Sequence, residues 1–209
     1  MNERFARFAK LSGWEKWNAM TLVWARILTE LVYRRAFGQM GHGCLIRRPI
    51  MLKNTGHVDL GNNVLIFDGA RLETVTERYG NTFHPRVHIG DGATFQQNFH
   101  LTCASEIIIG KKVAVTENVG IFDIWHPFED INSAIVDQPL RTSPVRIDDE
   151  TLIGMGAVIQ PGVRIGRHCV IGANSVVTSS IPDYCVAVGA PARIVKHYDH
   201  DVAAWISVK

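Results

Sequence analysis

His126 is the side chain whose type and position could do chemistry. An imidazole that titrates near neutrality can take a proton from a hydroxyl and release it later. It closes the last of a series of regular repeats, just before a twenty-residue interruption at residues 127–146, and Pro127 stiffens the chain directly behind it. At such a break a side chain can lean out of the regular structure toward a cleft. The interruption holds three prolines (Pro127, Pro139, Pro144) and three acids (Glu129, Asp130, Asp137), and long loops in compact repeat folds are where function concentrates. Glu129 and Asp130 have two readings, as groups that orient or charge-stabilise His126 or as solvated loop acids, and the second is the simpler. Nine histidines are present, and His42, His57, His88, His168, His197 and His200 are read as surface or packing residues. Cys44, Cys103, Cys169 and Cys185 lie far apart with no CxxC pair, which argues against both a zinc ribbon and a disulfide framework.

The elements that must position His126 repeat every six residues. From residue 147 to 182 the chain reads IDDETL, IGMGAV, IQPGVR, IGRHCV, IGANSV, VTSSIP, with Ile147, Ile153, Ile159, Ile165, Ile171 and Val177 opening the hexads. Four places after each opener stands a small or β-branched residue: Thr151, Ala157, Val163, Cys169, Ser175, Ile181. A helix would repeat its apolar positions at three and four, and a lone strand at two. A period of six suits a short strand, a turn through a third of a circle, and another short strand, so that three hexads close one coil. Coils stacked at roughly 4.8 Å bring like positions into register and enclose the openers in a prism-shaped core. Earlier hexads open at Leu60, Ile66 and Leu72, then, past a Gly- and Pro-bearing break at residues 78–86, at Ile89, Phe95 and Leu101. The register slips by two residues and resumes at Ile109, Val115 and Ile121.

With 209 residues and a net charge of +2 the chain is one domain with appendages. The charge points to no particular partner, nucleic acid included. No leader with an apolar core and a cleavage site is legible, which sets a cytoplasmic default. Three parts are expected: a helical segment at 1–40, a β-helix at 41–190 with its extruded loop at 127–146, and a tail at 191–209 that could close the coil stack with a short helix. The first part mixes Trp14, Trp17, Trp24, Ile27, Leu28 and Leu31 with seven basic and three acidic residues. Its longest uncharged stretch, residues 17–25, is nine residues and too short to span a bilayer. Its apolar face either packs on the β-helix end or a neighbouring subunit, the simpler expectation, or lies on an anionic membrane surface through residues 1–36.

IGDGATFQQNFHLT, DIWHPFED with the proline-bearing loop behind it, IGMGAVIQPGVRIG with IGANSVVTSSIP, and VAVGAPARIVK occur in that order across residues 58–196. Together they resemble the hexapeptide-repeat acyltransferases, and among these the O-acetyltransferases of sugars, capsules and lipopolysaccharides. The resemblance implies an all-β fold, a left-handed parallel β-helix; the hand comes from kinship alone, since parallel crossovers otherwise run right-handed. It implies acetyl-CoA as donor, no metal, a homotrimer with sites between subunits, and His126 as the general base that deprotonates an acceptor hydroxyl as it attacks the thioester. It gives Asn98 a part in acceptor binding, although an asparagine at a coil corner is equally natural, and sets His84 and His100 at the border of that cleft. It runs the CoA arm over Gly154, Gly156, Ala157 and Ala173, with phosphate or adenine contacts at Thr178, Ser179, Arg193 and Lys196. Leu152 and Ser179 depart from the family's frequent Trp and Lys, which moves weight onto Arg193 and Lys196.

The acceptor stays open between a small-molecule or lipid-linked sugar at the inner face of the membrane, a xenobiotic, and the amine of a nucleotide-linked amino sugar. Two other classes stand beside these. Histidines 84, 88, 100 and 126 raise the three-histidine zinc site of γ-type carbonic anhydrases, but position 121 is Ile where the matching histidine would fall. A non-catalytic trimeric scaffold is the other.

Overall fold

The computed structural model describes Phe8 and residues 10–208. The hexads build three parallel sheets, one for each face of a triangular prism. The first face stacks Gln39–Met40, Val58–Leu60, Arg86–Ile89, Glu106–Ile109, Val145–Ile147 and Arg164–Ile165. The second begins at Leu45–Ile46 and runs through Leu65–Ile66, Thr94–Phe95, Ala114–Val115, Leu152–Ile153 and Val170–Ile171 to Cys185–Gly189. The third stacks Met51–Lys53, Arg71–Thr74, His100–Cys103, Gly120–Phe122, Val158–Ile159 and Val176–Val177. Like positions pair throughout, as in Ile109 with Ile147, Val115 with Ile153 and Ile121 with Ile159. This is the left-handed parallel β-helix, and its first coil already starts at Gln39.

Hexad openers point inward, those from Ile66 to Val177 all but fully buried, and so do the residues four places after them except where the chain leaves a coil, at Thr76, Ser105 and Trp125. Each buried Ile, Leu or Val side chain contributes about 1.5–3 kcal/mol by leaving water. The two hydroxyls among the inward positions are satisfied: Thr151 Oγ1 donates to the Gly166 carbonyl (2.8 Å), and Ser175 Oγ accepts from the Gly189 amide (3.1 Å).

The corner from second to third face needs a left-handed residue in each coil. Gly69 (φ +79°), Asn98 (+59°), Asn118 (+58°), Gly156 (+70°) and Asn174 (+55°) supply it. Only Gly, and less readily Asn, takes this conformation without strain.

The corner from third back to first face is where regularity fails. It carries residues 75–85, which include the antiparallel pair Glu77–Arg78 and Asn81–Thr82, and one coil further on only the two residues Ala104 and Ser105. The next coil extrudes residues 123–144, beginning three positions before His126. Ala104 and Ser105 are the two-residue slip in the hexad register.

The N-terminal end is helical as expected, and the C-terminal end differs. Helix α1, Gly13–Leu28, starts at a capping box in which the Glu15 amide donates to Ser12 Oγ (3.3 Å) and the Ser12 amide to Glu15 Oε2 (2.8 Å). A π-helical turn, Thr29–Tyr33, follows, and buried Thr29 docks the segment by accepting from the Ile46 amide (2.9 Å). The helix rests on the first coil through Ala25 and Thr29, while Trp14, Trp17 and Trp24 stay exposed. Among the described residues no C-terminal helix forms: Ala192–Asp199 turns back antiparallel on Cys185–Gly189, and Ala204–Ser207 pairs with it in turn. The last coil presents an open strand edge, and backbone hydrogen bonding along that edge decides for strands.

Candidate active site

The strand Gly120–Phe122 delivers the chain to the third-to-first corner, where Asp123 turns inward and is completely buried. Its carboxylate accepts from the Ala104 amide (2.8 Å), the Ser105 amide (2.6 Å), the Ser105 hydroxyl (2.9 Å) and the Cys103 thiol (3.3 Å). Burial, and then the facing Asp123 carboxylate, push the Cys103 thiol far above its ordinary range, so it stays protonated and donates. The Asp123 carbonyl accepts from the Ser143 amide (2.8 Å), which closes the extruded segment at its base. Asp123 therefore fastens the entrance of the loop to the coil before it through its carboxylate, and the exit to the entrance through its carbonyl.

Beyond this anchor Ile124–Trp125 pairs antiparallel with Arg141–Thr142. Ile124 packs with Phe83 against Val75, Ala104 and Leu140, a small second core that joins the two large excursions. His126 follows on this stiffened stem, half-buried, and Pro127 behind it is buried. The Nδ1 atom of His126 is inaccessible to solvent and has no hydrogen-bond partner among the described residues. Neither loop acid serves it. Glu129 accepts from Arg141 Nη1 (2.6 Å), and Asp130 accepts from Ser133 Oγ (2.7 Å) and the Asn132 amide (2.9 Å). Its own amide and the Phe128 amide hold Glu129 below the ordinary carboxylate range, and Ser133 does the same for Asp130.

His84 is exposed on the neighbouring excursion, and so shares with His126 the corner built over that second core. His100 begins the third-face strand and its ring runs along the face toward this corner, with Nε2 3.1 Å from Thr102 Oγ1 and the ring edge-on to Phe122 with centroids 5.0 Å apart. Burial, and then the Arg71 guanidinium, lower its pKa and favour the neutral ring. Gly120 allows this arrangement, because a Cβ there would stand 2.8 Å from the Phe122 ring. Asn98 lies two residues before His100 but is apart from His84 and His126 within one chain. It occupies the second-to-third corner, at the other end of the third-face strand, and donates from Nδ2 to Asn118 Oδ1 (3.1 Å).

The eight residues expected along a CoA arm separate. Ala157 is inside the prism core, and Gly154 is small because a Cβ would meet the Ala173 nitrogen and the Ile171 carbonyl at 2.7 Å. Their size serves the stacking of coils, which corrects the expectation that both keep an outer surface low. Gly156 and Ala173 lie at the second-to-third corner, Gly156 closed in by Asn174. Thr178 and Ser179 are exposed on the same edge as the stem of His126, two coils further on, about 10 Å along the axis. Arg193 and Lys196 are exposed on the C-terminal antiparallel strand that extends the second face.

The histidines that raised a zinc site divide between faces. His88 projects from the first face, paired with Asp59 and Ile108, and His100 from the third. Among the described residues no group of three His, Cys, Asp or Glu side chains is placed to hold a metal.

A left-handed β-helix built from hexads is the fold of the hexapeptide-repeat class of proteins, and comparison with known proteins agrees. Residues 144–179 match the bacterial transferase hexapeptide family (six repeats). Over 180 residues the chain is 31% identical to the "Putative lipopolysaccharide biosynthesis O-acetyl transferase WbbJ" of Escherichia coli (strain K12), covering 86% of this chain and 88% of that protein. It is 28% identical over 200 residues to the galactoside O-acetyltransferase of Lactococcus lactis subsp. lactis (strain IL1403), covering 89% and 79%. The maltose O-acetyltransferase of Clostridium difficile 630 superimposes with a TM-score of 0.55 at 25% identity, over 87% of this chain and 88% of that one. AntD of Bacillus cereus, an N-acyltransferase solved with dTDP and 3-hydroxybutyryl-CoA, shares the fold with a TM-score of 0.69 at 22% identity, over 83% and 90%. The chain belongs to the hexapeptide-repeat acyltransferase family and is an acetyltransferase.

Asp123 is the site residue that sequence reasoning missed. Its signal was an acid at the third place of a hexad whose next residues leave the register, close to the histidine.

Proposed function

We propose that this protein transfers the acetyl group of acetyl-CoA to a hydroxyl of a sugar in the assembly of a surface polysaccharide or lipopolysaccharide, with His126 as general base. The observation that carries the reading is the fixation of His126: a half-buried imidazole on a stem pinned by Asp123, at the one corner where the repeat opens. The relatives named for O-acetyl transfer to galactosides and in lipopolysaccharide biosynthesis support the acceptor class.

The acceptor hydroxyl gives its proton to His126 as its oxygen bonds to the thioester carbonyl carbon. The tetrahedral oxyanion takes hydrogen bonds from backbone N–H groups, then collapses by breaking the carbon–sulfur bond, and the leaving thiolate recovers the proton from the imidazole. No group of the chain is acylated. Exposed Thr178 and Ser179 on the His126 edge and the cations Arg193 and Lys196 on the C-terminal strand suit the phosphates of the donor. Asn98 and His126 stand at opposite ends of one face, so they meet only across subunits. A homotrimer with interfacial sites fits that placement, and His84 and His100 then border the acceptor. The reaction belongs in the cytoplasm, at the inner face of the membrane.

The test is thiol release from acetyl-CoA by purified protein against a panel of free glycosides, lipid-linked sugars, nucleotide sugars and amino sugars. His126→Ala should lower turnover on the accepted sugar by about 10²–10⁴-fold, with oligomer mass and CoA affinity unchanged. Full turnover in the variant refutes the base, and preference for the amino sugar refutes O-transfer.

A further inference from the structure

The outward face of α1 has no role in the coil stack or in the site. Trp17, Met20 and Trp24 form one stripe at spacings of three and four, on the side of the helix away from Ala25 and Thr29, and exposed Leu31 follows in the π-helical turn. Trp17 is 54% and Trp24 64% exposed, and the flanking Trp14 and Val23 are 71% and 56% exposed. An apolar groove of about 290 Å³ opens beside it between Phe8 and the Ala19–Met20–Val23–Trp24 side of the helix.

We infer that α1 docks this protein on an anionic lipid surface, lying in the plane of the headgroups with its tryptophan stripe in the acyl boundary. Three observations select lipid over a second copy of the chain. The exposed arc is wide, with apolar positions on both sides of the stripe, whereas a partner helix needs only a narrow seam. Tryptophan rings are the side chains that settle at a bilayer interface. The charge is complementary as well. Lys10, Lys16, Arg26 and Arg35 belong to this segment, and its two described acids are engaged, Glu15 in the cap at Ser12 and Glu30 with Arg34 (2.7 Å). Among the described residues no helix is long and apolar enough to cross a membrane, so the contact is peripheral. The inference stands apart from acetyl transfer, because binding is read without turnover.

Full-length protein is sedimented with vesicles of phosphatidylcholine and phosphatidylglycerol in equal parts, and with phosphatidylcholine alone, while tryptophan emission is followed. The expected result is partition onto the anionic vesicles with a blue shift, weakened by salt. Trp17→Ser/Trp24→Ser should lose at least about tenfold in partition while keeping the wild-type circular dichroism and oligomer mass. Equal partition of variant and wild type overturns the inference, as does absence of wild-type binding. A fall in oligomer mass of the variant without vesicles also overturns it, because the stripe is then a subunit interface.

Discussion

Removing the Asp123 carboxylate tests whether one buried acid sets the place of His126. In Asp123→Ala the amides of Ala104 and Ser105 and the Ser105 hydroxyl lose an acceptor now 2.6–2.9 Å away. An orphaned buried donor costs about 1–3 kcal/mol, and the serine hydroxyl can rotate toward water, so two amides dominate and the loss should be about 3–5 kcal/mol. Asp123→Asn keeps the shape but offers one oxygen to two amides and turns an NH₂ toward donors, so about 2 kcal/mol is expected. Urea unfolding at one fixed protomer concentration reads these values, since an oligomer's apparent stability moves with concentration. Function should separate from stability in Asp123→Asn, assayed where its circular dichroism matches the wild type: kcat falls while KM for acetyl-CoA holds, because the stem of His126 loosens and the Thr178–Ser179 edge does not. A loss below about 1 kcal/mol in Asp123→Ala would refute the anchoring argument. Unchanged kcat in Asp123→Asn would refute the link to His126.

Two further outcomes follow from the site's neighbours. The pKa of His100 is lowered in the fold by burial and then by Arg71, so the unfolded chain takes up this proton first; the stability involved is present above about pH 6.5 and is lost as pH falls through the folded value. His100→Gln should therefore flatten the decline in Tm on acidification below neutrality, and an unaltered slope would show that His100 is not responsible. At Asn98 the left-handed backbone (φ +59°) and the acceptor role part company. Asn98→Gly should preserve the fold and raise KM for the sugar, whereas Asn98→Ala should also cost about 1–2 kcal/mol of stability; an unchanged KM in the glycine variant would leave Asn98 a corner residue alone.

The coil itself was legible in the chain, because a hexad states its own geometry locally. An opener and the residue four places on both face the prism, so Ile147, Thr151, Ile153 and Ala157 disclose their orientation without reference to any distant residue. The break at His126 was legible for the same reason, as the place where that pattern stops. Corner residues are ambiguous in sequence: Asn98 suits a left-handed turn and a ligand contact equally, and Gly154 suits a low surface as well as it suits the approach of the Ile171 carbonyl from the coil above. The tail was misread because Val202, Ala203, Trp205 and Ile206 fit a short helix or a strand, and the open edge of Ala192–Asp199 chose the strand for Trp205 and Ile206.

What the sequence determined by itself is therefore the repeat, its inward positions, and the corner where it is interrupted. Only the tertiary structure decided what meets at that corner. Asp123 reaches Ala104 and Ser105 from 19 and 18 residues away, Leu140 packs beside Val75, and the histidines at 88 and 100 fall on different faces. Such contacts lie between coils, and they depend on how much chain each corner extrudes before the next strand re-enters the stack. A six-residue period fixes the strand that follows a corner, and it carries no information about what two corners one above the other will place in contact.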